Sequence, residues 1–157
     1  MPSATVRRAV TAGALTAALI LPLSTQASAD VGDEDIVRIK FTGVTRVDTS
    51  PKHIEPSQSW VTYYTLYTPK KKYAGDASSR CSAVEVAHHK VTTHCTRVLR
   101  LKKGEITLHD MITRDGKKPV TAKTAIVGGT GIYNDAEGEG YITLKDDLVH
   151  LDLYVDD

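Results

Sequence analysis

Apolar and polar residues alternate along most of the chain after residue 30, which predicts β-strands rather than helices. The segment 149–155 shows the alternation most clearly, with four aliphatic residues on one face and His150, Asp152 and Tyr154 on the other. Such a separation is typical of a sheet with one buried and one wet face. Eight segments have this strand character: 36–41, 60–67, 82–86, 91–101, 105–112, 123–127, 139–144 and 149–155.

Turns rich in Gly, Pro, Asp and Lys separate these segments, and the longest irregular connection is predicted over residues 43–59. An all-β chain of about eight short strands either closes on itself or pairs two sheets. Eight strands give a barrel whose interior is filled by side chains or holds one small ligand. The pattern therefore favours an all-β fold, an eight-stranded antiparallel β-barrel, over a β-sandwich.

A glycine-rich stretch, Ala125-Ile-Val-Gly-Gly-Thr-Gly-Ile-Tyr133, joins two of the predicted strands. Gly128, Gly129 and Gly131 allow the positive φ angles of a tight corner. A phosphate-binding loop is the alternative, but the stretch lacks the Walker lysine and the GxGxxG spacing, and no helical pattern follows it. We interpret the three glycines as a structural turn.

The first 29 residues have the pattern of a secretory signal peptide. Arg7 and Arg8 precede an apolar stretch over residues 9–23, and Ala27-Ser-Ala29 gives the small residues expected before a cleavage site. General secretion fits better than the twin-arginine route. We therefore predict cleavage after Ala29, a barrel domain over residues 30–157 and a secreted protein. This domain contains 128 of the 157 residues, which suits a single core.

Removing Arg7 and Arg8 changes the formal net charge from +1 to about −1. A nearly neutral protein has neither the basic surface of a nucleic-acid partner nor a membrane-binding patch. The one dense basic cluster, Lys70-Lys-Lys72, lies between Pro69 and Gly75 and is interpreted as a solvated loop. We predict no nucleic-acid partner and no membrane association after processing.

Cys81 and Cys95 are the two cysteines of the chain, an even number in a protein predicted to reach an oxidising compartment. They flank a short turn near residues 87–89, and pairing across that turn places them opposite each other. A disulfide closing this loop would stabilise the fold by roughly 3 kcal/mol. A metal site with His94 and another histidine is the alternative, although no CxxC or HxxxH pattern supports it. The prediction is one hairpin disulfide and no metal site.

Several short segments in a fixed order resemble secreted bacterial members of the allene oxide cyclase-like, dirigent-like barrel superfamily. The likeness covers residues from about Tyr73 to the C-terminus, and its most specific part is the glycine corner. The segments are Gly75-Asp76, the strand from Cys81, Cys95-Thr-Arg97, Leu101-Lys-Lys-Gly-Glu-Ile-Thr107, Ala125 to Tyr133 and Ala136-Glu-Gly-Glu-Gly140.

The resemblance implies an eight-stranded antiparallel barrel with a mostly apolar lumen, and its plant members are often homo-oligomers. We expect no cofactor. Plant members cyclise a reactive lipid epoxide or steer the coupling of phenol radicals, and some bacterial relatives are similar to polyketide cyclases. The expected partner is thus an apolar small molecule that is polyketide-, lipid- or phenol-like. Ser50-Pro51 is comparable with a Ser-Pro of the plant cyclases. The preceding positions, near Thr42 and Val44, offer no carboxylate or amide, so the plant chemistry does not carry over.

Candidate lumen residues follow from period-two counting. Val84, Val86 and His94 share a face of the hairpin, so His94 is a candidate catalytic acid or base if the valines point inward. The alternative is a hydrogen-bonded or wet histidine near the barrel mouth. Phe41, Trp60 and Tyr64 are candidate ligand-binding aromatics, with ordinary core packing as the alternative. Tyr63 and Tyr67 on the opposite face are candidates for an oligomer surface.

Three functions remain open from the sequence. The barrel is a cyclase, isomerase or stereochemical guide of secondary metabolism that orients a reactive intermediate, an extracellular carrier, or a structural protein with a packed interior. A buried polar group in an open lumen would favour the enzyme. A wholly apolar open lumen would favour the carrier, and a filled lumen would favour the structural protein.

Overall fold

Eight antiparallel strands form a closed barrel in which each strand pairs with the next along the chain and the last pairs with the first. The computed structural model describes residues 36–156, so the predicted signal peptide over residues 1–29 lies outside the described residues. A short 3₁₀ turn, Gly131–Tyr133, precedes the seventh strand. The strands are β1 (Val37–Asp48), β2 (Ser59–Tyr67), β3 (Tyr73–Ala87), β4 (Lys90–Leu101), β5 (Gly104–Asp115), β6 (Val120–Gly129), β7 (Glu137–Lys145) and β8 (Leu148–Asp156).

The predicted fold class, an eight-stranded antiparallel barrel with one hairpin disulfide, is confirmed. Several strands are longer than predicted, most of all β3, which begins at Tyr73 rather than at residue 82. Its first half consists of small and polar residues with little strand signal. In the barrel this half pairs with β2 on one side and β4 on the other, and Ala77 and Ser79 are buried inside. Two flanking strands therefore impose the extended conformation that local propensity alone does not indicate.

Apolar side chains fill the barrel near the end where the 3₁₀ turn lies. Inward positions on every strand alternate with outward positions, as a half-buried sheet requires. Each large aliphatic side chain removed from water contributes about 1.5–3 kcal/mol to stability. The buried apolar cluster consists of Phe41, Tyr64, Leu66, Ala77, Leu99, Ile106, Leu108, Ile112, Ile126, Ala136, Ile142, Val149, Leu151, Leu153 and Val155.

Irregularities in strand register decide which side chains face the interior. The β3–β4 register shifts between Ala83 and Glu85, leaving Val84 as an extra residue that is 56% exposed. The β1–β2 register shifts between Thr45 and Val47, so Asp48 aligns with the buried Thr62. Bulges of this kind re-aim the side chains that follow them. They place Asp48 at the rim of the lumen and turn Val84 outward.

The glycine-rich corner connects β6 to β7. The φ angle is 131° at Gly128 and 68° at Gly131, conformations that side chains with a Cβ rarely adopt. A Cβ on Gly129 would overlap the carbonyl oxygens of Glu105 and Tyr133. The corner therefore needs glycine for two reasons, backbone conformation at two positions and close backbone approach at the third. Within residues 36–156 no helix is long and apolar enough to cross a membrane.

Candidate functional site

A cavity of about 590 Å³ occupies the barrel end opposite the glycine corner. Its lining comes from the inner faces of the strands, the β1–β2 connection and the turns that follow β3, β5 and β7. The lumen therefore has two parts, a packed apolar end and an open end. The lining residues are Thr45, Asp48, Ser50, Lys52, Ile54, Trp60, Thr62, Tyr64, Ser79, Cys81, His89, Val91, Thr93, Cys95, Arg97, Arg114, Gly116, Lys117, Leu144, Asp146, Asp147, Leu148 and Val149.

A buried ion pair stands at the inner part of this lining. Arg97 of β4 donates from Nε to Oδ2 of Asp110 over 2.6 Å and from Nη2 to Oδ1 over 3.0 Å. The side chains of Arg97 and Asp110 are 4% and 0% exposed. Leu108 is the direct partner of Arg97 in the β4–β5 register, so Asp110 is the diagonal neighbour on the same inner face. The side-on contact leaves Nη1 of Arg97 directed away from Asp110.

Asp110 keeps Arg97 charged inside the barrel. Burial by itself favours the neutral form, but the hydrogen bonds and negative charge of Asp110 outweigh it and raise the pKa of Arg97 above its ordinary value. Arg97 lines the cavity, whereas Asp110 lies behind it and does not. The cavity therefore contacts a fixed cationic hydrogen-bond donor rather than a group that gains and loses a proton.

Two hydroxyl groups lie beside this donor. Nη1 of Arg97 is 3.4 Å from the hydroxyl of Tyr64, and that hydroxyl is 2.9 Å from Oγ of Ser79. All three side chains are buried and line the cavity. Hydroxyl hydrogens rotate to suit their partners, so Tyr64 and Ser79 can each donate or accept. We call Arg97, Tyr64 and Ser79 the polar anchor.

Apolar surface covers another part of the cavity wall. Trp60 lies on the same face of β2 as Tyr64, and Val91 and Leu148 contribute aliphatic surface nearer the opening. The confirmed disulfide also contacts the cavity: Cys81 and Cys95 are direct cross-strand partners with a Cα–Cα distance of 4.1 Å, and both face inward. A cavity of this size with a few convergent polar groups is typical of small-molecule sites.

Charged residues of both signs surround the opening. Lys52 and Lys117 are exposed basic residues there, and Asp48, Asp146 and Asp147 are exposed acidic residues. Arg114 lies between the exposed opening and the interior, and its Nε is buried without a hydrogen-bond partner among the described residues. Charges of both signs thus lie at the rim, whereas the guanidinium of Arg97 lies inside.

His94 does not lie in the lumen, because the face of β4 that carries it points outward. The inner face of β4 carries Thr93, Cys95 and Arg97, so His94 points outward and is exposed. The sequence made an inward His94 conditional on an inward valine face, with a hydrogen-bonded or wet histidine near the barrel mouth as the alternative. Asp110 on the neighbouring strand offsets the charge of Arg97, and this partner allows the more polar face to be the buried one.

The three predicted ligand-binding aromatics do not all lie at the cavity. Trp60 and Tyr64 line it together. Phe41 is 8% exposed and belongs to the packed core, where it borders a separate groove of about 320 Å³ instead. The glycine corner also lies away from the cavity, where its residues shape a turn of the barrel wall.

Sequence reasoning missed Arg97, Asp110, Ser79 and Arg114. One signal for the ion pair was present. The aliphatic alternation of β5 is interrupted at Asp110, and the face of β4 that carries Leu99 also carries Arg97. Opposite charges on the inner faces of two strands joined by a tight turn predict a diagonal pair. Ser79 gave no comparable signal, because small polar residues are common on either face of a strand.

The sequence matches no protein-family model and no curated protein. Solved structures do match the fold. A pyocyanin demethylase aligns with a TM-score of 0.62 at 19% identity, over 75% of this chain and 99% of its own. An exo-specific intermolecular Diels-Alderase aligns with a TM-score of 0.55 at 15% identity, over 76% of this chain and 96% of its own.

A pterocarpan synthase dirigent protein aligns with a TM-score of 0.53 at 14% identity, over 83% of this chain and 94% of its own. The chain has the dirigent-type barrel fold. The fold implied by the sequence resemblance is therefore confirmed. At identities below 20% these likenesses establish the fold alone, and the chemistry has to be argued from the residues of this chain.

Proposed function

We propose that this barrel binds a small organic molecule in its open lumen and catalyses a cyclisation or isomerisation by holding that molecule in one reactive conformation. The observation that carries the proposal is the polar anchor, which lies in a cavity whose wall is partly apolar. A buried arginine that contacts the cavity is costly for a merely structural barrel. A carrier of purely apolar molecules would have no use for it.

The residues indicate how the ligand is oriented. An apolar body packs against Trp60, Val91 and Leu148, and a carbonyl, carboxylate or phenol oxygen accepts hydrogen bonds from Arg97 and Tyr64. Because Arg97 stays charged, it stabilises negative charge that develops on this oxygen without a proton transfer. The ligand predicted from the sequence as apolar is thus proposed to be amphipathic, with its oxygen at the inner end.

The polar anchor favours orientation and polarisation over acid–base catalysis. The one carboxylate next to it, that of Asp110, already accepts two hydrogen bonds from Arg97. A pericyclic ring closure of a confined, oriented substrate needs no base, and orientation alone can supply a large part of the rate enhancement. The folds of a Diels-Alderase, a pyocyanin demethylase and a dirigent protein are similar to this one, which supports a role in secondary metabolism.

The proposal also includes export of the protein from the cytoplasm. The N-terminal pattern over residues 1–29 supports a signal peptide cleaved after Ala29, and the disulfide is typical of proteins in an oxidising compartment. The protein would then meet its ligand outside the cytoplasm. We also propose that the protein forms a homo-oligomer. The support for this is the exposed Tyr63 on the outer surface.

Native and denaturing mass spectra of the mature protein, purified from the culture medium of its host, test the proposal directly. A molecule present only in the native spectrum is the expected result, and it is then incubated with fresh protein to detect conversion. Tyr64→Phe removes one hydroxyl of the polar anchor. Tyr63→Phe, its outward-facing neighbour, is the matched control.

We expect wild type and Tyr63→Phe to retain the bound mass and to convert the molecule, and Tyr64→Phe to lose most of both. If all three proteins bind the molecule and release it unchanged, the barrel is a carrier rather than an enzyme. Equal binding and conversion by Tyr64→Phe and wild type would show that the polar anchor is not the binding determinant. A bare protein mass in both spectra would remove the support for a lumen ligand.

A further inference from the structure

Three potential soft-metal ligands lie together on the outer surface of the β4–β5 hairpin. The rings of His94 and His109 are in edge contact, with centroids 5.9 Å apart. Met111 is the direct cross-strand partner of His94, and it follows His109 by two positions on the same face of β5. Both histidines are exposed, and Met111 is 66% exposed. We call these three residues the outer cluster.

We propose that the outer cluster is a binding site for a monovalent soft metal ion, copper(I) in the organism, held by two imidazole nitrogens and one thioether sulfur. A metal lies about 2 Å from each ligating imidazole nitrogen, so two rings on one ion have centroids roughly 5–6 Å apart. The observed separation of 5.9 Å fits this requirement without movement of the strands. Rotation of the exposed side chains is enough.

Donor chemistry selects the ion. Among residues 36–156 no three His, Cys, Asp or Glu side chains group around a common point, so an ion that requires three such ligands finds no site. Imidazole accepts several transition metals, but a thioether favours soft ions such as copper(I). Met111 is flexible and polarisable, and its exposed position contributes little to folding. A role as a ligand explains an exposed methionine beside two histidines.

Uncharged residues lie directly opposite the two histidines, and two basic residues lie diagonal to them on the same outer face: Arg80, the partner of Thr96, and Lys123, whose charge is paired with Glu139. Across the strands, the second partner of His94 is Ser82, and the partners of His109 are Thr96 and Ala125. No lysine or arginine is directly opposite either histidine in the strand register. The site is separate from the lumen, because His94 and His109 face outward while their neighbours Cys95 and Asp110 face inward. The inference therefore does not depend on the proposed function.

Silver(I) is a suitable probe, since it has the ligand preference of copper(I) and does not undergo redox cycling. Mature protein with the disulfide intact and without a histidine tag is titrated with silver(I) by calorimetry. Copper(I) is then measured in anaerobic competition with a chromogenic chelator. We expect one equivalent to bind. Because Met111 is the only methionine of residues 30–157, its methyl NMR signal should shift as the first equivalent is added.

Substitution separates the outer cluster from general histidine binding. His94→Ala and His109→Ala should each weaken silver(I) binding at least tenfold. Met111→Leu should weaken silver(I) and copper(I) at least tenfold while leaving nickel(II) binding unchanged. His150→Ala changes an exposed histidine on β8 and serves as the matched control, with no effect expected.

Three results would overturn the inference: no stoichiometric binding by the wild type, wild-type silver(I) affinity in Met111→Leu, or an equal loss in His150→Ala. Circular dichroism of each variant identifies any loss that comes from unfolding. If a histidine variant unfolds, the methionine methyl signal of the wild type and the affinity of Met111→Leu still decide the matter.

Discussion

Arg97 and Asp110 form a side-on ion pair inside the barrel, with the shorter contact, 2.6 Å, between Nε and Oδ2. Neither side chain reaches solvent to a significant extent. Arg97 contacts the cavity and Asp110 does not, so the pair places a cation at the cavity wall and its counter-charge behind that wall. Asp110 balances the charge of Arg97, and Arg97 offers a hydrogen-bond donor to the cavity. Unfolding experiments test the first role, and ligand-binding experiments test the second.

Breaking the pair from one side should be costly. Asp110→Ala leaves a charged guanidinium buried without its partner, and we expect a loss of about 3–5 kcal/mol in the free energy of unfolding. The double variant Arg97→Met, Asp110→Leu removes both charges. Its stability should lie within about 1 kcal/mol of the wild type or above it.

Urea unfolding followed by circular dichroism gives both values, and Asp110→Asn provides a milder single variant if Asp110→Ala does not fold. The double variant should bind no lumen ligand although it is folded. A double variant as unstable as Asp110→Ala would show that the pair stabilises the barrel rather than serving the cavity.

Removing the disulfide should destabilise the barrel through the unfolded state. The two cysteines are 14 positions apart, and opening a loop of this length costs about 3 kcal/mol in the chain-entropy model. Cys81→Ala, Cys95→Ala should therefore unfold at a lower urea concentration with little change in the barrel spectrum. Alkylation of the wild type without reductant should add no mass, and two added labels would contradict the bond.

Acid should weaken the barrel through Asp152. The hydrogen bond from Arg38, followed by the contact with Lys40, lowers the pKa of Asp152 to about 2. The ordinary value is higher, so this carboxylate stabilises the fold above about pH 4, and that contribution is lost as the pH falls towards 2.

Urea midpoints of the wild type at pH 6, 4, 3 and 2 should decrease most steeply over the last two steps. Asp152→Asn should flatten that decrease, and Arg38→Met, which leaves only Lys40 as a partner, should be intermediate. Identical slopes for all three proteins would exclude the Asp152 contacts as the cause.

Trp60 should report on occupancy of the cavity. It is the only tryptophan of the chain and lies in the cavity wall, partly exposed. Acrylamide should quench its emission in the free protein, and a lumen ligand identified by native mass spectrometry should protect it. Quenching that does not change at ligand saturation would place the ligand elsewhere. Lys123→Ala, on the outer surface, is a control that should leave both measurements unchanged.

The sequence predicted the barrel well wherever one face of a strand is aliphatic. The alternation in residues 149–155 corresponds to β8, whose Val149, Leu151, Leu153 and Val155 are all buried. The first half of β3 was missed because its inward residues are small, and small residues are recognisable as buried only once the neighbouring strands are in place.

The site was harder to predict because its face assignment contradicts a simple hydrophobicity count. On β4 the buried face carries Arg97, and the exposed position beside it carries His94. An inward arginine is favourable only because Asp110 lies diagonally across the next strand, and that relationship depends on register rather than on composition. Trp60 and Tyr64 were placed on one face of their strand by period-two counting, and that face is the inner one.

The opening of the cavity at one barrel end has a kinetic consequence. The other end is filled by the apolar cluster around Leu66, Leu99 and Ile106, so a molecule that entered the cavity would have to leave through the same opening. Two reactants bound one above the other would follow a last-in, first-out order, and the deeper one would have to load first. For a single reactant, departing product and arriving substrate would compete for the same passage, and accumulated product would slow turnover without contacting Arg97.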